Sequence, residues 1–207
     1  MIRKTLSQSD FIETGTAYLR DHTLSELTMR VLGDLLGVDA TACYRHFTGK
    51  TELLTAMLDN MLGQVLEAVP EVITDPRERL EAQCMAMRRV MHENPQLAAA
   101  MAASEGQMPN ALEMSRRSIA ALRSAGLDGD ELVRAYQMIE SYVMGATQFD
   151  LIAAPHNMEI RAARYGAFDD PAFTGVARSV RSVDGLTEEA FVSGLRTLLD
   201  DVLGVRR

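Results

Sequence analysis

Thr41, Ala42, Arg45 and His46 stand within six positions of one another, with Lys50 just beyond them and Arg30 a short distance before. They bring together a hydroxyl, a methyl, a guanidinium and an imidazole, groups that address base edges and phosphates in the major groove of a duplex. An ammonium one short turn further on, at Lys50, suits the phosphate backbone, which fixes position and carries no sequence information. Ala40 and Ala42 offer few polar contacts, so base reading in such a set leans on Thr41, Arg45 and Arg30.

Two short helices must hold these groups. Thr28 can cap the first by accepting a bond from an orphan N–H, and Val31, Leu32, Leu35 and Leu36 then recur at the three and four spacing of one buried face. Gly37 is a left-handed stop and Val38 a plug for the corner. Asp39 starts the second helix, its carboxylate suiting both the free N–H groups and the positive dipole end. At about 100° per residue, Cys43, Tyr44 and Phe47 fall on the packing side and Thr41, Ala42, Arg45 and His46 on the outer side. This is the pattern of a helix-turn-helix.

In its series Leu27-Thr28-Met29-Arg30, Leu36-Gly37-Val38, Tyr44-Arg45-His46-Phe47 and Lys50, the chain resembles the TetR family of bacterial transcriptional regulators. The Tyr-x-His-Phe-x-x-Lys exit is the restrictive piece, and the motif covers roughly the first quarter of the chain. The contact set that the resemblance implies is Thr28, Arg30, Ala40, Thr41, Ala42, Tyr44, Arg45, His46 and Lys50, with double-stranded operator DNA as the partner. It also implies a homodimer joined through residues 129–154 and 187–203. A small-molecule effector, apolar in character, would release the operator, with Met91, Met138, Tyr142 and Gln148 as candidate lining residues. Two positions depart from the family's usual residues. Gly33 replaces an alanine, a change expected to loosen the first motif helix by up to ~1 kcal/mol. Cys43 replaces a larger aliphatic, and its inward bearing favours a small packed side chain over a redox-sensing thiol.

The 207 residues carry a net charge of −8, which a nucleic-acid binder has to accommodate. Residues 1–50 hold six basic and six acidic side chains, so the excess lies entirely in the remainder. A neutral module binds DNA if its basic groups share a face, with less non-specific affinity than a basic one. That neutrality supports a second reading, an all-helical interaction module whose helix-turn-helix does not bind DNA. No apolar run is long enough to span a bilayer, and the stretch MIRKTLSQSD has no apolar core behind its two basic residues, so neither a membrane nor a secretory signal is expected. Two cysteines indicate no disulfide framework, and a cytoplasmic location is expected.

Enzymatic and metal-binding classes find little support. The four histidines show no metal-ligand spacing with one another or with a cysteine. A phosphate loop, a nucleophile elbow and a Glu-x-x-His pair are all missing. Neither catalytic activity, a cofactor nor a metal is expected.

Helical periodicity continues along the chain, and the expected fold is all-α with about nine or ten helices: a three-helix DNA-binding domain at 1–50, then a ligand-binding and dimerisation domain at 51–207. After a scaffold helix at 8–22 and the motif helices, helices are expected at 51–69, 76–93 behind the Asp75-Pro76 cap, 95–104, 110–124, 129–154 and 187–203. Residues 155–186, broken by Pro155, Gly166, Pro171, Gly175 and Gly185, allow short helices at 157–165 and 171–181. Among the thirteen methionines, Met85, Met87, Met91, Met101, Met108, Met114, Met138 and Met144 cluster in the middle helices. Flexible thioethers there suit either a plain core or a pocket for varied apolar ligands.

Overall fold

Local signals start the amino-terminal helices of the computed structural model, which describes residues 6–101, 104, 106–150, 155–180 and 186–204. Helix α1 (Gln8–Tyr18) opens with a capping box between Ser7 and Asp10. In α2 (Met29–Leu36) the Thr28 hydroxyl accepts the Val31 N–H at 3.1 Å. In α3 (Ala40–Cys43) the Asp39 carboxylate accepts the Thr41 N–H at 2.8 Å. Ahead of α4 (Lys50–Glu67), Glu52 reaches back to the N–H and hydroxyl of Thr48. The bonds to the Thr28 hydroxyl and the Asp39 carboxylate satisfy donors that the helices themselves leave orphaned.

The body continues through α5 (Pro76–Glu93), α6 (Pro95–Met101), α7 (Pro109–Ser124) and α8 (Gly129–Asp150). It ends with α9 (Pro155–Gly166), α10 (Pro171–Val180) and α11 (Leu186–Val202). Eleven helices and no strand are present among the described residues, an all-α fold with more elements than the nine or ten expected. The difference lies in 155–180, where α9 and α10 both form and pack on each other. Helix α1 ends early, at Tyr18, beyond which the Arg20 and Asp21 N–H groups bond three residues back, to Ala17 and Tyr18. The expected continuation of α6 through 102–103 lies outside the described residues. The expected continuation of α8 through 151–154 and the position of Gly185 lie outside the described residues.

Helix α4 is the common member of the packing. It contacts α1 on one side and α5, α6 and α7 on the other, burying Leu53, Met57, Leu58, Met61, Leu62 and Val65 at helical spacing. Asn110 at the start of α7 donates to the Asp59 carboxylate from its backbone at 2.8 Å and its side chain at 3.0 Å, fastening α7 to α4. At the other end of the body, the buried Arg88 of α5 donates to Glu188 of α11 at 3.0 Å, and its guanidinium lies 4.4 Å from the Phe191 ring centre. The Tyr142 hydroxyl of α8 donates to the Phe191 carbonyl at 2.8 Å. No helix among the described residues is long and apolar enough to cross a membrane.

Candidate nucleic-acid interface and ligand cavity

The corner between α2 and α3 is closed by backbone. Val38 N–H donates to the Gly33 carbonyl at 2.9 Å, and Gly37 takes the left-handed φ of 68°. A Cβ on Gly33 would stand 2.9 Å from the Val38 oxygen and 3.2 Å from the Ala40 nitrogen. The glycine expected to loosen α2 is therefore what lets α3 approach it. Cys43 is wholly buried, its thiol donating to the Met29 carbonyl at 3.4 Å, and burial pushes its pKa up. A sensing thiol needs exposure and a stabilised thiolate; this one packs and bonds across the corner.

Thr28, Arg30, Thr41, Tyr44 and Arg45 are solvent-exposed. Tyr44, placed on the packing side by periodicity, is 57% exposed. Regular helix ends at Cys43, and the next N–H groups bond three residues back, Arg45 to Ala42 and His46 to Cys43, so the 100° rule no longer applies. The same change turns His46 inward. Its ring sits 5.0 Å from Phe11, and its carbonyl accepts from the Gln8 amide at 3.0 Å, against the outward expectation. Ala40 and Ala42 are half-buried. Leu35, expected in the buried face, is 52% exposed, because Met29, Leu32, Gly33 and Leu36 form the inward stripe and Leu35 stands off it.

Lys50 is the first residue of α4, and its ammonium donates to the Leu24 carbonyl; the Leu24 N–H in turn donates to the Gln96 side chain of α6 at 3.3 Å. Two ammonium protons remain available for a phosphate. Backbone and hydroxyl donors hold the carboxyls of Glu26, Asp39 and Glu52 below the usual range, through Thr23, Thr41 and Thr48 respectively. Arg20, Arg30 and Arg45 are exposed and make no ion pair among the described residues. Glu26 and Asp39, two of the six acidic groups among residues 1–50, and Glu52 just beyond them accept from local N–H and hydroxyl groups, while the guanidinium groups of Arg20, Arg30 and Arg45 face water.

In the body, α4, α5, α7 and α8 enclose a cavity of about 290 Å³. Five of the clustered methionines line it: Met87, Met101, Met108, Met114 and Met144. None of the four candidate lining residues does. Met91 is fully buried in the core, Met138 is 37% exposed, Tyr142 is bonded and stacked on Phe191, and Gln148 donates to the Ala98 carbonyl at 2.9 Å. Helix α8 turns Tyr136, Ile139, Glu140, Val143 and Met144 to the cavity. Apolar residues surround much of α8, so their type did not single out this face.

The polar lining is a feature that periodicity alone passes over. Gln83 donates to the Met114 carbonyl at 3.2 Å and to Ser118 at 2.7 Å. Ser115 lies 2.9 Å from the Tyr136 hydroxyl, which lies 3.1 Å from Glu140. Burial raises the pKa of the Tyr136 phenol and pushes the Cys84 thiol in the same wall up to about 12. Signals for it exist in the sequence: Gln83 interrupts the stripe of Leu80, Cys84 and Met87, Ser115 and Ser118 are three apart, and Tyr136 and Glu140 four apart. Among the described residues no group of three or more His, Cys, Asp or Glu is placed to hold a metal ion.

Residues 70–205 match the family model described as "Tetracyclin repressor-like, C-terminal domain". Over 156 residues the chain is 27% identical to the HTH-type transcriptional repressor Rv1353c of Mycobacterium tuberculosis, covering 73% of this chain and 60% of that relative, less than two thirds of its length. A possible TetR family transcriptional regulator from Streptomyces coelicolor A3(2) superposes with a TM-score of 0.79 at 27% identity, over 97% of this chain and 100% of that one. ActR of Streptomyces coelicolor, crystallised with actinorhodin, shares the fold at a TM-score of 0.71 and 21% identity, over 98% of each chain. A match through most of the body, joined to a helix-turn-helix at the front, means that the chain belongs to the TetR family.

Proposed function

We propose that this protein is a DNA-binding transcriptional regulator, a repressor that leaves its operator when a small molecule fills the body cavity. The observation that carries it is the corner: a backbone-closed turn that presents Arg30, Thr41, Tyr44 and Arg45 to solvent beside carboxylates already engaged by backbone N–H groups. In this reading residues 1–50 are the DNA-binding domain, 51–207 hold the effector and pair the subunits, and the protein works in the cytoplasm. It is a regulator like its relatives, with no catalytic role. Pairing through α8 and α11 is supported by Val133 and Met138, apolar and exposed on α8, and two heads would read two half-sites by symmetry. The actinorhodin complex of ActR supports an effector in the body; the effector must bind two conformations with different affinity to act at all.

A gel shift against DNA upstream of the protein's own coding region tests this. A specific, salt-sensitive complex is expected. Arg45→Ala should relax selectivity by about 1–3 kcal/mol, and Lys50→Ala should weaken all sequences alike. No salt-sensitive complex would sink the proposal and leave the non-binding interaction module standing.

A further inference from the structure

The cavity's polar strip is short of protons. Ser115 and Tyr136 hold one hydroxyl proton each, yet they make three close oxygen contacts: Ser115 to the Ala111 carbonyl at 3.1 Å, Ser115 to Tyr136 at 2.9 Å, and Tyr136 to Glu140 at 3.1 Å. Two protons thus serve three contacts, and one contact is left without a proton of its own. Gln83 shows the same bias. The Met114 carbonyl accepts only, so it fixes the Gln83 amide with its NH2 toward Met114 and Ser118, and the Gln83 carbonyl oxygen accepts from no described residue. Ser118 keeps its own hydroxyl proton as a surplus donor, beside the weak S–H of Cys84.

Charge points the same way. Glu140, exposed where the cavity meets solvent, is the single carboxylate in the lining, and no lysine, arginine or histidine accompanies it. An anion entering here would find a like charge and too few donors. A protonated amine would bring up to three donors and the opposite charge, while its apolar body lay among polarisable thioethers. The Tyr136 ring in the same wall adds a face suited to a cation.

We propose that the cavity takes a lipophilic amine, its ammonium group at the Glu140 and Tyr136 end and its hydrocarbon among the methionines. This deepens the effector reading above and rests on it for regulation, but the binding preference is measured without DNA. The test is calorimetry of the full chain with three probes that differ in one group: 4-phenylbutylamine, 4-phenylbutanol and 4-phenylbutyrate.

The amine is expected to bind at least about tenfold more tightly than the acid, with the alcohol between them. In Glu140→Gln, whose side chain is at the surface, that gap should close while the alcohol's affinity holds; a thermal midpoint equal to that of the parent confirms folding. The proposal is overturned if the acid binds as well as the amine, if the gap survives Glu140→Gln, or if none of the three binds. Operator binding by the protein without any probe is a separate measurement. Its failure would remove the regulatory role, while the order of the three probes would still decide the class of ligand.

Discussion

At the α2–α3 corner, Gly33 leaves 2.9 Å between a would-be Cβ and the Val38 oxygen, and every neighbour is backbone. In the body, about 290 Å³ is lined by fifteen residues of which five are methionines, whose three rotatable bonds let that part of the wall re-form. The first region tolerates no change of shape and the second is made for it. Presenting side chains to a fixed lattice of base pairs requires a turn that cannot drift, whereas accepting a small molecule requires walls that yield.

Gly33→Ala probes that contrast hardest. Although alanine favours helix by up to about 1 kcal/mol, the contact with immovable backbone should reverse the sign, for a net loss of about 1–3 kcal/mol in urea unfolding. A gain in stability would mean that the corner gives way like the cavity. Met108→Leu in the cavity wall should cost less than about 1.5 kcal/mol by the same measurement, because a swap of similar volume finds room to repack. Thr147, fully buried in α8 with a hydroxyl that has no partner among the described residues, should be stabilised on replacement by the isosteric valine, by about 1 kcal/mol.

The smallest effect is one of pH. Glu26, Asp39 and Glu52 have carboxyl pKa values lowered by folding, so their contribution is present above the unfolded values and is lost as pH falls through the folded ones. All three lie by α2, α3 or the start of α4. Amide protection factors in α2 and α3, corrected for the intrinsic slowing of exchange in acid, should therefore fall on acidification, through and below the normal carboxylate range, before those in α5 do. An equal fall in both regions would erase the distinction.

Much of the head was legible because its signals are local. Thr28, Gly37 and Asp39 act on N–H groups and dihedrals within three residues, as Asp75 and Pro76 do for α5. What escaped depends on contacts distant in sequence or on a break in periodicity. Gly33 looks like a flaw until the backbone of Val38 lies against it, and Tyr44 and His46 exchange sides only because regular helix stops at Cys43. The methionine cluster marked the part of the body that holds the cavity. The register of α8 did not follow, since Met138 and Tyr142 are as suited to a cavity as Ile139 and Met144 and only packing against α7 and α11 separates them.

Leu24 carries a last consequence. Its backbone is gripped on both sides, its N–H by Gln96 of α6 and its carbonyl by Lys50 of α4, and the same α6 carries Met101 of the cavity wall. Gln96 touches neither the outward side chains of the corner nor the cavity, yet any displacement of α6 reaches Lys50 across two hydrogen bonds. Under the proposed function, such a residue would stand in the linkage between two binding events. Its removal would show as a change in the factor by which one ligand alters the affinity for the other, and reciprocity requires that factor to be the same whichever ligand is added first.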